Sequence, residues 1–167
     1  TQGPSSMVDN GSRPLFRSYS PTVSPMRYFP KLTDVVNGTT TIGESYATTN
    51  RDMNFRVTVR DSNGGVVFDD MKTVVDASSG PFLVTAPTAG AGWTGSEMQS
   101  VQWDVANTHL APVNCSNVDI YLSIDSGVSF DEKLATTAND GDHLLNLPNQ
   151  STTTARIKVQ CSDNVFY

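Results

Sequence analysis

The sequence predicts an all-β fold: an antiparallel immunoglobulin-like or fibronectin type III-like β-sandwich, preceded by a long irregular segment and a partial first β domain. Two observations carry this reading. Apolar and polar residues alternate over short runs split by Gly, Pro, Asn and Asp, and no helical period competes. Composition agrees: of 167 residues, 37% are apolar and only 17% charged, with Ser, Thr and Asn filling the difference. That balance suits exposed antiparallel sheets better than helical bundles, whose outer faces need Lys and Glu.

Residues 1–79 read as an irregular segment plus a β-hairpin. Up to about residue 50 the chain is punctuated by Gly, Pro and Ser, yet Leu15, Phe16, Tyr19, Tyr28, Phe29 and Leu32 are scattered through it. A disordered linker holds fewer aromatics, so this part is expected to pack as an ordered loop. One helical turn is expected near "KLTDVVN", started by Thr33 or Asp34. In "NFRVTVRD" Phe55, Val57 and Val59 share one face, "DSNGG" is a dense turn signal, and "VVFDDMKTVV" resumes β character. An isolated hairpin is marginal in water, so pairing with further strands is expected.

Residues 80–167 read as one sandwich domain. "PFLVTAP", "QSVQWDVAN", "NVDIYLSI", "EKLATT", "DHLLNLP" and "TTARIKVQC" supply six strands. Trp103 alternates with Val101 and Val105 and is expected in the core. Trp93, in a Gly-rich loop, is a candidate ligand platform or a loop-packing residue. Cys115 and Cys161 flank the third and sixth of these strands, which neighbour each other in such a sandwich. A disulfide between them is expected in an oxidising compartment, with two separate buried thiols as the alternative.

The formal charge of −6 and the lack of a basic cluster argue against a nucleic-acid partner. No apolar run approaches the roughly 20 residues of a bilayer span. The chain opens at Thr1 without a leader, and an internal fragment of an extracellular or cell-surface protein is the expectation. "SIDSGVSF", Ser123 to Phe130, is similar to the Asp-box of sialidase propellers. It occurs once, where a propeller repeats it blade by blade, so it reads as a turn clasp. His109 and His143 lie in no H-E-x-x-H frame, and neither a G-x-S-x-G elbow nor a P-loop is present. The carboxylates at turns read first as turn-forming Asp; a calcium site at "DSNGG", with Asp61 and Asn63, or at "NDGDH", with Asp140 and Asp142, is the alternative. Asn37, Asn114 and Asn149 match the glycosylation triplet, as expected by chance in a chain this rich in Asn, Ser and Thr.

Several longer runs together, "RYFPKLTDVVNGTTTIGE", "RDMNFRVTVRD", "GPFLVTAP", "VQWDVANT", "APVNCSNVDIYLSIDSGVSF" and "TTTARIKVQCSDNVFY", resemble the region that follows the catalytic domain in secreted bacterial reprolysin-like zinc metallopeptidases. The resemblance implies a non-catalytic accessory module whose partners are the parent catalytic domain, neighbouring β domains and protein substrate. Zinc belongs to the parent's catalytic domain, and no zinc ligand or catalytic residue carries over to this chain. It also implies a first domain that enters late and a second one strand short, with open edges available for homo-oligomers formed by strand exchange. A carbohydrate-binding or cell-surface adhesion module, contacting a glycan through Trp93 and Tyr121, is the competing reading. An independent enzyme is a third.

Overall fold

The computed structural model describes residues 8–167, and the chain divides into two compact units. One runs to Pro30 and resumes over Thr40–Ala77; the other joins Lys31–Thr39 to Ser78–Tyr167. The architecture is all-β with antiparallel sheets and one short helix, as the alternation predicts.

In the first unit, β1 (Arg51–Arg60) and β2 (Val66–Val75) form a hairpin in continuous register from Arg51↔Val75 to Arg60↔Val66. Asp61 closes its turn, accepting the N–H groups of Asn63 (2.8 Å) and Gly65 (2.7 Å) on Oδ1. The register puts Phe55, Val57, Val59, Val67 and Met71 on one face. Phe55 is half-buried beneath Phe29 and Phe16, whose ring centroids lie 4.6 and 6.1 Å away. Val57, Val59, Val67 and Met71 are exposed. The opposite face carries two exposed ion pairs, Arg56–Asp70 at 2.6 Å and Lys72–Asp52 at 2.7 Å.

The expected pairing of this hairpin with further strands is not seen among the described residues, where β1 and β2 form a two-stranded sheet. The irregular segment grips the hairpin's base through side chains instead. Pro14, Pro21, Pro25 and Pro30 interrupt that segment and remove the donors a ladder would need. Asp9 is the anchor. Its carboxylate accepts from Gly11, Thr48 and Thr49 N–H, from the Thr49 hydroxyl, and from Arg51 Nη1 at 2.8 Å. Burial alone would raise the Asp9 carboxyl, but these donors outweigh it and hold it well below the usual carboxylate range. Nearby, Arg17 N–H donates to Gly43 C=O and Ser45 N–H to Leu15 C=O, both at 3.1 Å. The segment is thus an ordered loop, as its aromatics suggest.

The second unit begins with α1 (Leu32–Asn37), which starts one residue before Thr33. Lys31 stands at the N-cap without a side-chain bond, and the Asp34 carboxylate accepts from Thr39 Oγ1 at 3.0 Å instead of capping. Six strands follow: β3 (Leu83–Ala86), β4 (Met98–Asp104), β5 (Asn117–Ser123), β6 (Glu132–Ala138), β7 (Asp142–Asn146) and β8 (Arg156–Cys161). They form two three-stranded sheets in the orders β3-β4-β7 and β6-β5-β8. Both sheets contribute to one core, Val101, Trp103 and Leu145 from the first and Val118, Ile120 and Val159 from the second. The intervening residues Gln102 and Asp104 face solvent, which is the alternation expected of half-buried strands.

Cys115 and Cys161 are joined in a disulfide with Cα atoms 6.0 Å apart. The bridge lies within one sheet, because β5 and β8 are hydrogen-bonded neighbours and Val118 pairs with Cys161. Its two half-cystines are 46 residues apart, a loop whose closure stabilises by about 4 kcal/mol in the chain-entropy picture. Replacing both cysteines by alanine is therefore expected to lower the unfolding free energy of the second unit by about 4 kcal/mol in a urea titration, with reductant acting similarly on the unaltered chain. A loss under about 1 kcal/mol would assign the unit's stability to its core alone.

Candidate functional site

Asp125, Asp61, Trp93 and Tyr121 have partners within their own units, and the octet after β5 shows this most clearly. Ser123 donates to Asp125 Oδ1 at 2.6 Å, and its hydroxyl oxygen accepts the Gly127 N–H at 2.9 Å. Asp125 also accepts from Val128 N–H, Ser129 N–H and the Ser129 hydroxyl, at 2.9 to 3.1 Å. Gly127 has φ of +84°, and an added Cβ would lie 2.8 Å from a methyl of Val36 on α1. Only glycine meets both requirements. The octet is a clasp that turns β5 back toward β6, as its single occurrence suggests. It holds the Asp125 carboxyl at about 2, first through Ser123 and then through the Ser129 donors.

The calcium candidates are dispersed. Asp61 and Asn63 sit in the hairpin turn of the first unit, where Asp61 Oδ1 is committed to backbone N–H groups. Asp140 and Asp142 belong to the second unit, Asp140 in the turn after β6 and Asp142 opening β7 opposite Gln102. Among the described residues no three His, Cys, Asp or Glu side chains come together as a metal-binding group. His109 is exposed, and His143 is half-buried opposite Val101.

The two aromatic candidates have intramolecular contacts. Trp93 is half-buried and packs against the core of the second unit. Tyr121 lies on the outer face of β5 opposite Lys158 of β8, whose ammonium is 4.6 Å from the Tyr121 ring centroid. Phe130 and Tyr167 approach the same ammonium at 5.2 and 5.8 Å, and Gln160 Oε1 accepts from it at 3.0 Å. Burial pushes the Lys158 pKa down. Sequence reasoning missed this cluster. Its one signal is the polar series Arg156, Lys158, Gln160 on β8, which becomes informative only when the register sets Tyr121 opposite Lys158.

A shallow hollow on the hairpin is lined by Asn54, Phe55, Arg56, Asp70, Met71 and Lys72. Its charges are paired, Arg56 with Asp70 through two bonds and Lys72 with Asp52. No helix among the described residues is long and apolar enough to cross a membrane. Comparison of the chain with protein-family models, with curated proteins and with solved structures gives no match.

The clasp makes a pH prediction. A carboxyl whose folded pKa is depressed contributes stability above its ordinary value of 3.8, and that contribution is lost as pH falls through about 2. The Asp125 carboxyl is expected to titrate at about 2 by NMR, with hydrogen-exchange protection of the Val128 and Ser129 amides falling over the same window. Titration at 3.8 with unchanged protection would show that the clasp is not formed in solution.

Proposed function

We propose that the chain is a non-catalytic accessory module of a secreted zinc metallopeptidase, an immunoglobulin-like or fibronectin type III-like sandwich that positions the catalytic domain and engages protein substrate. The reading starts from the resemblance of its longer runs to that family's post-catalytic region. The observation that carries it is the strand order of the second unit. The first, second and fifth strands of that unit share one sheet, and the fourth, third and sixth share the other. Such a sandwich is expected to divide its strands this way. The bridge within one sheet departs from antibody domains, whose disulfide spans the two sheets.

Other features support the same role. A disulfide persists in oxidising compartments, which favours an extracellular location. Asp61, Asp125, Trp93 and Trp103 hold turns or fill the core, the work of a scaffold. Both outer edges of the β1–β2 hairpin and its exposed apolar face offer surface for neighbouring β domains or for strand exchange between chains. The glycan-binding alternative needs an open aromatic platform. Tyr121 has the Lys158 ammonium over its ring and Trp93 packs against the core, contacts that weigh toward a scaffold role.

The test is to read the open reading frame that encodes this chain and to assay the chain itself. An H-E-x-x-H segment upstream of Thr1, with no peptidase turnover by the isolated chain in added Zn²⁺, is the expected result. A frame without that segment would remove the metallopeptidase assignment. Turnover abolished by a chelator would overturn the non-catalytic one.

A further inference from the structure

The dipeptide Asn-Gly occurs three times, as Asn10-Gly11, Asn37-Gly38 and Asn63-Gly64. In this dipeptide the glycine amide nitrogen can attack the asparagine side-chain carbonyl carbon, because no Cβ shields the approach. The reaction needs a side chain that rotates freely and an amide that is not already donating. The three sites differ in both respects.

At the first site Gly11 N–H donates to Asp9 Oδ1 at 2.8 Å. Asn10 Oδ1 accepts from Ser12 N–H, the Ser12 hydroxyl and Arg13 N–H. At the second, Asn37 Nδ2 donates to Thr33 C=O at 2.9 Å, and Gly38, at φ of +62°, closes the C-terminus of α1 with its N–H toward Val35 C=O. The third site is different. The Asn63 side chain and the Gly64 N–H have no hydrogen-bond partner among the described residues; only the Asn63 backbone N–H is engaged, by Asp61. Asn63 is exposed, and an added Cβ on Gly64 would meet nothing within 4 Å.

We propose that Asn63 is a site of spontaneous deamidation at the tip of the β1–β2 hairpin, selected over Asn10 and Asn37 by the hydrogen bonds that hold those two. Solvent base removes the Gly64 amide proton, and the nitrogen bonds to Asn63 Cγ. The Cγ–Nδ2 bond then breaks, and ammonia leaves with a proton supplied by water. Water then adds to one imide carbonyl and that carbon's bond to the Gly64 nitrogen breaks, the nitrogen regaining a proton: opening at Cγ gives aspartate, opening at the backbone carbonyl carbon gives isoaspartate. Both products place a new negative charge beside the Asp61 carboxylate, and isoaspartate also lengthens the turn by one backbone carbon. The turn that sets the hairpin's register is thus the part of the surface that changes covalently with time.

The experiment holds the intact protein in mildly alkaline buffer at physiological temperature and follows positions 10, 37 and 63 by peptide mapping that resolves isoaspartate. A parallel sample is unfolded in denaturant. In the folded protein, position 63 is expected to convert several-fold faster than positions 10 and 37, and the three rates are expected to draw together on unfolding. Conversion at position 10 or 37 as fast as at 63 in the folded chain overturns the proposal. So does an Asn63 that survives folded incubation intact while the unfolded sample converts.

Discussion

Asn139 sits where the two sheets of the second unit meet, and its carboxamide satisfies groups from both. Its Oδ1 accepts the indole N–H of Trp103 on β4 at 2.9 Å. Its Nδ2 donates to Thr108 Oγ1 at 3.0 Å and to the Cys115 carbonyl at 3.1 Å. Trp103 and Cys115 are 4% and 1% exposed, so neither group has water as a ready substitute. Leaving one such group unpaired costs about 1–3 kcal/mol. The backbone extends each sheet up to this point: Asn139 N–H donates to Ser116 C=O at the β5–β6 end, and Trp103 N–H to Gly141 C=O at the β4–β7 end, both at 2.9 Å. Trp103 can be a core residue because this carboxamide is there to receive its polar edge.

The disulfide meets this network at Cys115, whose carbonyl is bound by Asn139 and whose N–H donates to Thr108 C=O at 2.9 Å. A covalent link along one sheet and a polar link across to the other therefore converge on the entry to β5. From there the strand alternates Val118, Ile120 and Leu122 into the core and ends in the Ser123–Asp125 clasp. The clasp bears on α1 through Gly127 and on the approach to β8, where Thr154 C=O accepts the Ser126 N–H. These connections pin both ends of the central strand of that sheet.

Much of this order was legible because a period of two is a strong signal. The six strands of the second unit and the hairpin of the first follow from alternation and turn residues, while the sequence leaves the Cys115–Cys161 bridge open against two buried thiols until the structure joins them. What escaped depends on contacts distant in sequence. Asn139 reads as one more turn asparagine in "TANDG" until β4 brings Trp103 to it. Asp9 looks like part of a loop until Thr48, Thr49 and Arg51 converge on it. Lys158 reads as a solvent-facing lysine on the polar side of β8, yet three rings surround it. The helical turn near "KLTDVVN" is present, starting one residue before Thr33. For the candidate site, the residues are visible in the sequence as types, but the commitment of Asp61 to backbone N–H groups, of Trp93 to the core and of Tyr121 to Lys158 is not.

A fold by itself assigns no function. The join between the two sheets of the second unit rests on the bond between Asn139 and the Trp103 indole. Native-state hydrogen exchange of the Trp103 indole N–H tests that most directly. Exchange is expected only through global unfolding of the second unit, with the same opening free energy as the slowest amides of β4 and β5. Exchange at the rate of an exposed loop would mean that the indole is not held by Asn139, and that the two sheets are joined in some other way.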